Sequence, residues 1–150
     1  MTTFRSLRYL VLVAAMLLGV PWDVQPRNRR SYCREVALEE REEVANVIFT
    51  GTVLKLYRSQ TDIYRGSIRV KRVIKGDSNL AENTIIVDGF GDPRICFSDV
   101  RERDTRIFLV SQLHGGHLRL NSSVIRLSLR SLNKAISAVR GKTFKTTVIS

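Results

Sequence analysis

The chain has 150 residues, and its 25 Lys and Arg against 14 Asp and Glu give a formal net charge of +11. A chain of this size, less a leader, has room for one domain with its own hydrophobic core and not for two. No nucleophile constellation, phosphate-binding loop or paired acid and base is marked by its surroundings. We therefore expect a binding protein rather than an enzyme, with no cofactor.

Residues 1–20 have the layout of a secretory signal peptide. Two arginines and no acid precede an apolar run from Tyr9 to Val20, which is shorter than the roughly 20 apolar residues of a membrane span. An anchor or a buried helix is the alternative. The prediction is a secreted protein without a membrane span in its mature form.

Residues 21–32 are interpreted as a basic linker. Within it, residues 27–30 (RNRR) have the form that proprotein convertases cleave, immediately before Ser31. A disordered basic linker without cleavage is the alternative. The positive charge predicts attraction to anionic partners such as heparan sulfate or acidic proteins. Nucleic acid is not expected as a partner of a secreted chain.

Cys33 and Cys96 are the two cysteines of the sequence. In an oxidising compartment this even count predicts one disulfide, with two buried thiols as the alternative. The chain-entropy model gives such a long loop about 4 kcal/mol of stabilisation. The segment from Cys33 to Ala45 is predicted to be a helix, since it is rich in Glu and Arg. Its glutamates are assigned to a solvated face and not to a metal site: Glu39, Glu40, Glu42 and Glu43.

Five strands are predicted after this helix from β-branched and aromatic runs that are separated by turn residues. They are residues 47–57, 67–74, 84–87, 106–110 and 117–120. Gly51 within the first strand predicts a bulge or sharp bend. This pattern is typical of an all-β barrel or sandwich.

A second helix is predicted from Arg126 to Arg140, with Asn121, Ser122 and Ser123 as caps and Gly141 at its end. Its apolar residues recur at spacings of three and four: Ile125, Leu129, Leu132, Ile136 and Val139. Part of this stripe (Ile125, Leu129, Ile136) is expected to cover the barrel. At the first turn of this predicted helix, apolar and polar residues also alternate as they do in a strand. Residues 142–150 are predicted to be a flexible tail.

Three further groups of residues have candidate roles. His114 and His117 lack ligand companions, so no metal site is expected. Asn121-Ser122-Ser123 fits the N-glycosylation sequon, with helix capping as the other role. Basic residues of the second strand are candidates for binding heparan sulfate or a growth factor: Arg69, Lys71, Arg72 and Lys75.

Several runs in one collinear order resemble the amino-terminal laminin-binding domain of agrin. They are residues 41–47, 50–53, 90–93 with 95–96, 104–108 and 120–123, followed by Arg126 and residues 129–130. The resemblance implies a mainly β fold: a five-stranded OB-type barrel flanked by amino-terminal and carboxy-terminal helices, related to netrin-like and metalloproteinase-inhibitor domains. The domain would span residues 33–141. Cys33 and Cys96 match a family disulfide.

The resemblance also implies a function. The carboxy-terminal helix of the family docks on the coiled-coil region of laminin, and the matching apolar positions here are Leu132 and Val139. The alternative is that Leu132 and Val139 belong to the core of the domain itself. The implied location is the extracellular matrix of basement membranes. Asn133 and Lys134 replace an acidic pair of the family. A netrin-like protease inhibitor is an alternative, but such inhibitors present a mature amino-terminal cysteine, whereas Cys33 follows Ser31 and Tyr32.

Overall fold

The structure, a computed structural model, describes residues 34–147, with side chains described as far as Gly141. The predicted signal peptide (1–20), the linker with its convertase sequence (27–30), Cys33 and residues 148–150 lie outside the described residues. Within the described range, no helix is both long enough and apolar enough to cross a membrane.

The described residues form two α-helices and six strands. Helix α1 spans Leu38–Val44, and helix α2 spans Leu129–Thr147. The strands between them are β1 (Val47–Tyr57), β2 (Tyr64–Lys75), β3 (Thr84–Phe90), β4 (Thr105–Gln112), β5 (Leu118–Leu120) and β6 (Ile125–Arg126). Short 3-10 turns lie in the β2–β3 and β4–β5 connections, at Ser78–Leu80 and His114–Gly116.

Strands β1 to β5 close into a barrel. The order runs β1-β2-β3-β5-β4, and β4 pairs again with β1, so each of these strands has two neighbours. Strands β3 and β5 are parallel, with Val87 opposite Leu118, and the other pairs are antiparallel. The two-residue strand β6 joins β4, with Ile125 opposite Ile107. The predicted five-stranded barrel between two helices is confirmed.

Aromatic side chains fill the centre of the barrel. Phe49, Phe90 and Phe108 are fully buried. The rings of Phe49 and Phe108 stack with centroids 5.4 Å apart, and Phe90 meets Phe108 edge-on at 6.1 Å. Aromatic pairs in these geometries contribute about 1 kcal/mol each beyond the area they bury. Alternate residues of the strands complete this core, because a strand sends every second side chain inward.

Gly51 lies where β1 and β2 approach closely. A Cβ at this position would lie 2.6 Å from Ile68 Cγ2 and 2.9 Å from the carbonyl oxygen of Arg69. The β1–β2 register shifts between Thr50 and Gly51, and such an irregularity bends a strand. The predicted irregularity at Gly51 is confirmed as this shift of register.

Helix α1 is shorter than predicted and has a buried acid. It covers Leu38–Val44 rather than 33–45. Glu42 was assigned to the solvated face, yet it is 2% exposed. Leu38 and Glu42 are one turn apart, so both face inward. Lys75 Nζ lies 3.5 Å from Glu42 Oε1 and compensates its charge. The prediction was wrong because the compensating residue lies on another element.

Helix α2 is displaced toward the carboxyl end of the chain. It begins at Leu129, not Arg126, because Ile125 and Arg126 pair with β4 as a strand. The helix continues through Gly141 to Thr147, so the prediction that Gly141 ends it was wrong. An interior glycine costs a helix about 1 kcal/mol and does not have to break it. The backbone of 142–147 is helical where the sequence predicted a flexible tail.

Candidate functional site

A pair of serines fixes the first turn of α2. Ser128 Oγ accepts a hydrogen bond from the Ser131 backbone N–H at 3.1 Å, and Ser131 Oγ accepts one from the Ser128 N–H at 2.9 Å. This reciprocal pair is a capping box, which satisfies N–H groups that a helix start leaves free. The predicted cap at Asn121–Ser123 was wrong, because those residues precede β6.

The side chains on the inner face of α2 are small. Ala135 is 2% exposed, and Val139, one turn further on, packs against the same cluster between the helices and the outside of the barrel. The other buried members of this cluster are Leu38, Ala45, Ile48, Ile107 and Leu109. An alanine at the closest contact lets the helix approach the sheet, so α2 is attached through short side chains.

The larger apolar side chains of α2 lie at the edge of this contact. Leu129 is 81% exposed, and Leu132 and Ile136 are partly exposed. At 3.6 residues per turn, these three positions fall within about 60° of arc. They therefore form one stripe along the helix, which we call the α2 ridge. The expectation that Leu129 covers the barrel was wrong, because Ala135 and Val139 take that role.

The two predicted docking residues have different surroundings. Leu132 lies on the α2 ridge, whereas Val139 packs against the buried cluster. The structure therefore groups Leu132 with Leu129 and Ile136. The spacings of three and four in the sequence could not distinguish the ridge residues from Val139, since all of them fit one helical stripe. The signal in the sequence was Ala135, whose small side chain marks the side of closest approach.

The outer surface of α2 is basic. Residues 129–147 include no Asp or Glu. Arg130, Lys134 and Arg140 are exposed. The α2 ridge is thus an apolar stripe on a positively charged helix, and a partner of opposite charge would be attracted to it in a salt-dependent way.

The four basic residues predicted to bind heparan sulfate do not form one free patch. Lys75 Nζ donates a hydrogen bond to the Glu42 carbonyl oxygen at 2.7 Å, which joins β2 to α1. Arg69 lies 3.9 Å from Glu82. Lys71 and Arg72 are exposed, and neither forms an ion pair with another described residue. The sequence shows the charges on one strand but not that Lys75 has a structural partner.

A buried aspartate organises the loop after β3. Asp92 is 2% exposed, and its carboxylate accepts hydrogen bonds from Arg94 Nη2 at 2.7 Å and from Arg119 Nη2 at 3.2 Å. The Arg94 guanidinium holds the pKa of the Asp92 carboxyl well below its usual range, with Arg119 adding to the effect. Ser98 Oγ donates to the Asp92 carbonyl oxygen at 3.1 Å. The Asp92 side chain thus ties the start of this loop to β5, and the Ser98 hydroxyl ties the other end of the loop to the Asp92 backbone.

The same loop carries Cys96. Cys96 is disulfide-bonded, but Cys33 lies outside the described residues, so the Cys33–Cys96 pairing stays a prediction. Next to Cys96, Phe97 is 73% exposed and has a φ of 47°. This left-handed conformation is unfavourable for a bulky residue. The Phe97 carbonyl oxygen accepts a hydrogen bond from the Val124 N–H at 3.1 Å, so the loop is also held against the segment before β6.

The candidate glycosylation residue is partly buried. Asn121 Nδ2, the atom that would carry a glycan, donates a hydrogen bond to Ser111 Oγ at 3.1 Å. Asn121 Oδ1 is buried without a partner among the described residues. A glycan on Asn121 would need the hydrogen bond to Ser111 to be given up. Glycosylation stays a prediction, with this geometry against it.

The two histidines lie at the surface in the β4–β5 connection. His114 and His117 are both exposed. Among the described residues, no group of three or more His, Cys, Asp or Glu side chains could hold a metal ion.

The comparison with known families agrees with this geometry. The family model described as the Agrin NtA domain matches residues 39–142. This range begins in α1, includes all five strands of the barrel and ends within α2. It therefore covers well over half of the chain and every element that builds the α2 ridge. The chain belongs to the Agrin NtA domain family.

Proposed function

We propose that this chain is a secreted, non-enzymatic binding module of the extracellular matrix, and that it docks on the coiled-coil region of laminin through α2. Membership of the Agrin NtA domain family supports a laminin-binding role in general. The observation that carries the docking through α2 is the α2 ridge: Leu129 is 81% exposed beside the partly exposed Leu132 and Ile136.

The spacing of the ridge suits a coiled-coil partner. Leu129, Leu132 and Ile136 are separated by three and four residues, which is the alternation of the a and d positions that line a coiled-coil seam. Arg140 takes an e position beside this seam and would meet an acidic residue of the partner. Leu132 is the expected central contact, and Val139 acts by holding the helix in place, since it packs against the buried cluster.

The experiment is titration of a trimeric laminin coiled-coil fragment with the secreted protein and with Leu132→Ala. Because a few residues carry most of the binding energy of an interface, we expect Leu132→Ala to weaken binding about tenfold or more. Binding of the unchanged protein should also weaken as salt is raised, since Arg140 lies next to the ridge around the helix and Arg130 and Lys134 make the rest of its exposed surface positive.

The matched control is Leu54→Ala. Leu54 lies on β1, away from α2, and is 47% exposed, so the same side chain is shortened at another exposed position. Circular dichroism should report the same fold for both variants. Equal losses of affinity in the two variants, or no binding by the folded unchanged protein, would contradict docking through the ridge. The inhibitor alternative depends on the amino terminus, which lies outside the described residues.

A further inference from the structure

A groove with a volume of about 780 Å³ lies on the outer face of the barrel. It is lined by the β1–β2 connection, by β3 and by Leu113 and Arg119 of the β4–β5 hairpin, and it includes no residue of α2. This face, between the β1–β2 and β4–β5 connections, is where barrels of this type hold extended ligands. The fold alone does not show that this groove binds a ligand, so the evidence has to come from the side chains that line the groove.

Part of the lining of the groove is apolar. Tyr57, Ile86 and Leu113 line it and are 43%, 45% and 46% exposed. Three separate segments contribute them, namely the end of β1, the middle of β3 and the residue after β4. Single exposed apolar residues are ordinary, but three that converge in one concavity are typical of a contact surface.

The lining of the groove also carries a net positive charge. Its lining holds three arginines, Arg58, Arg65 and Arg119, and one aspartate, Asp88. Arg65 Nε pairs with Asp88 Oδ1 at 3.1 Å and its side chain stays 61% exposed. Arg119 bonds to the buried carboxylate of Asp92 with its side chain 37% exposed. Guanidinium groups have five N–H donors, so both can accept a further anion.

Arg58 is the uncompensated cation of the groove. Its guanidinium carbon lies 4.0 Å from the centroid of the Tyr64 ring, and it forms no ion pair with any residue in the described range. The ring is itself fixed, because the Tyr64 hydroxyl donates to Asp99 Oδ1 at 3.2 Å and accepts from the Val100 N–H at 3.2 Å. A cation that is held over a rigid ring is preorganised to bind an anion.

We propose that this groove binds an extended acidic segment of a partner polypeptide. A carboxylate of the segment meets Arg58, and its apolar side chains lie over Ile86 and Leu113. Two of the three exposed apolar side chains, Ile86 and Leu113, are aliphatic. Aliphatic surface is covered better by the apolar side chains of a peptide than by a sulfated glycan, which binds through charged and polar groups. The site is separate from the laminin proposal, since the groove and α2 have no residue in common.

The test uses a fluorescent peptide of alternating glutamate and leucine, with the version containing glutamine for glutamate as neutral control. Anisotropy should show binding of the acidic peptide below about 1 mM and no measurable binding of the neutral one. We expect Arg58→Gln and Ile86→Ser each to weaken binding about tenfold. The matched controls are Arg72→Gln, which is the same change as Arg58→Gln, and Leu54→Ser, which also replaces an aliphatic side chain by serine; both positions are exposed and lie outside the groove.

Three results would overturn the proposal. The first is no binding of the acidic peptide by the folded protein. The second is an equal loss in Arg58→Gln and Arg72→Gln, which would show attraction by overall charge alone. The third is a heparin fragment that binds more tightly than the peptide and loses affinity in Arg58→Gln, which would make the groove a glycan site. Each result can occur with laminin binding intact, so the two proposals fail independently.

Discussion

Replacing Asp92 by asparagine should destabilise the domain strongly. The carboxylate is 2% exposed and accepts four hydrogen bonds, three from Arg94 and one from Arg119. Asparagine has the same shape as aspartate but carries no charge. It also replaces one of the two carboxylate oxygens, which accept hydrogen bonds, with an NH2 group that can only donate them. Removing one partner of a buried ion pair costs about 3–5 kcal/mol. The side chains of Arg94 and Arg119 are 75% and 37% exposed, so solvent screening reduces this cost, and we expect about 2 kcal/mol of unfolding free energy.

The loss of stability in Asp92→Asn should depend on pH, and it should be larger at neutral pH than in acid. Arg94 lowers the pKa of the Asp92 carboxyl in the folded protein, so the unfolded chain binds a proton at higher pH than the folded one. The stabilisation is fully present above the unfolded pKa of about 4 and is lost as the pH falls below it. The difference between the unchanged protein and Asp92→Asn should therefore shrink between about pH 4 and pH 2.

Urea unfolding at neutral pH and at about pH 3 measures both effects. The matched control is Asp88→Asn, because Asp88 pairs with the exposed Arg65 at the surface and should contribute under about 1 kcal/mol. Asp104 also has a lowered pKa, owing to its hydrogen bond from Arg106; comparing variants cancels its contribution. A loss in Asp92→Asn no larger than in Asp88→Asn, or a difference that is unchanged by acid, would refute the reasoning.

Two smaller changes test local features by the same urea unfolding. Phe97→Gly should raise the unfolding free energy by about 0.5 kcal/mol, because glycine adopts the φ of 47° without strain and the lost side chain is 73% exposed, while the greater freedom of glycine in the unfolded chain offsets part of the gain. A destabilised variant would show that Phe97 has a packing role. Ser128→Ala should cost about 1 kcal/mol by removing half of the capping box of α2. Unchanged stability would mean that another group caps the helix.

The barrel could be predicted from the sequence because its signals are local. Alternation of apolar and polar residues marks strands, and Gly51 marks the bend within the first of them. Strand ends were less well predicted. β2 begins at Tyr64 rather than Ser67, since Arg65 and Gly66 give no apolar alternation, although both pair with β1. β2 is therefore longer than its alternation of apolar and polar residues indicates, because its first residues pair with β1.

Contacts between distant residues could not be predicted. Glu42 looked solvated because nothing near it in sequence marks it as buried, and its cation, Lys75, lies on β2. The groove is equally non-local. Tyr57, Ile86 and Leu113 come from three segments, and no single segment shows a site. Lys75 was assigned to a binding surface for the same reason, since its hydrogen bond to α1 is visible only in the fold.

The orientation of α2 supports the proposed docking surface. Burying a leucine fully contributes about 2 kcal/mol, yet the helix buries Ala135 and leaves Leu129 81% exposed. Rotating the helix by roughly 60° would bring the ridge toward the barrel. The capping box at Ser128 and the contact of Val139 oppose this rotation. The helix is thus held with its larger apolar side chains in water. A second protein that covered them would bury apolar area that stays exposed in the free protein, and this burial would favour binding.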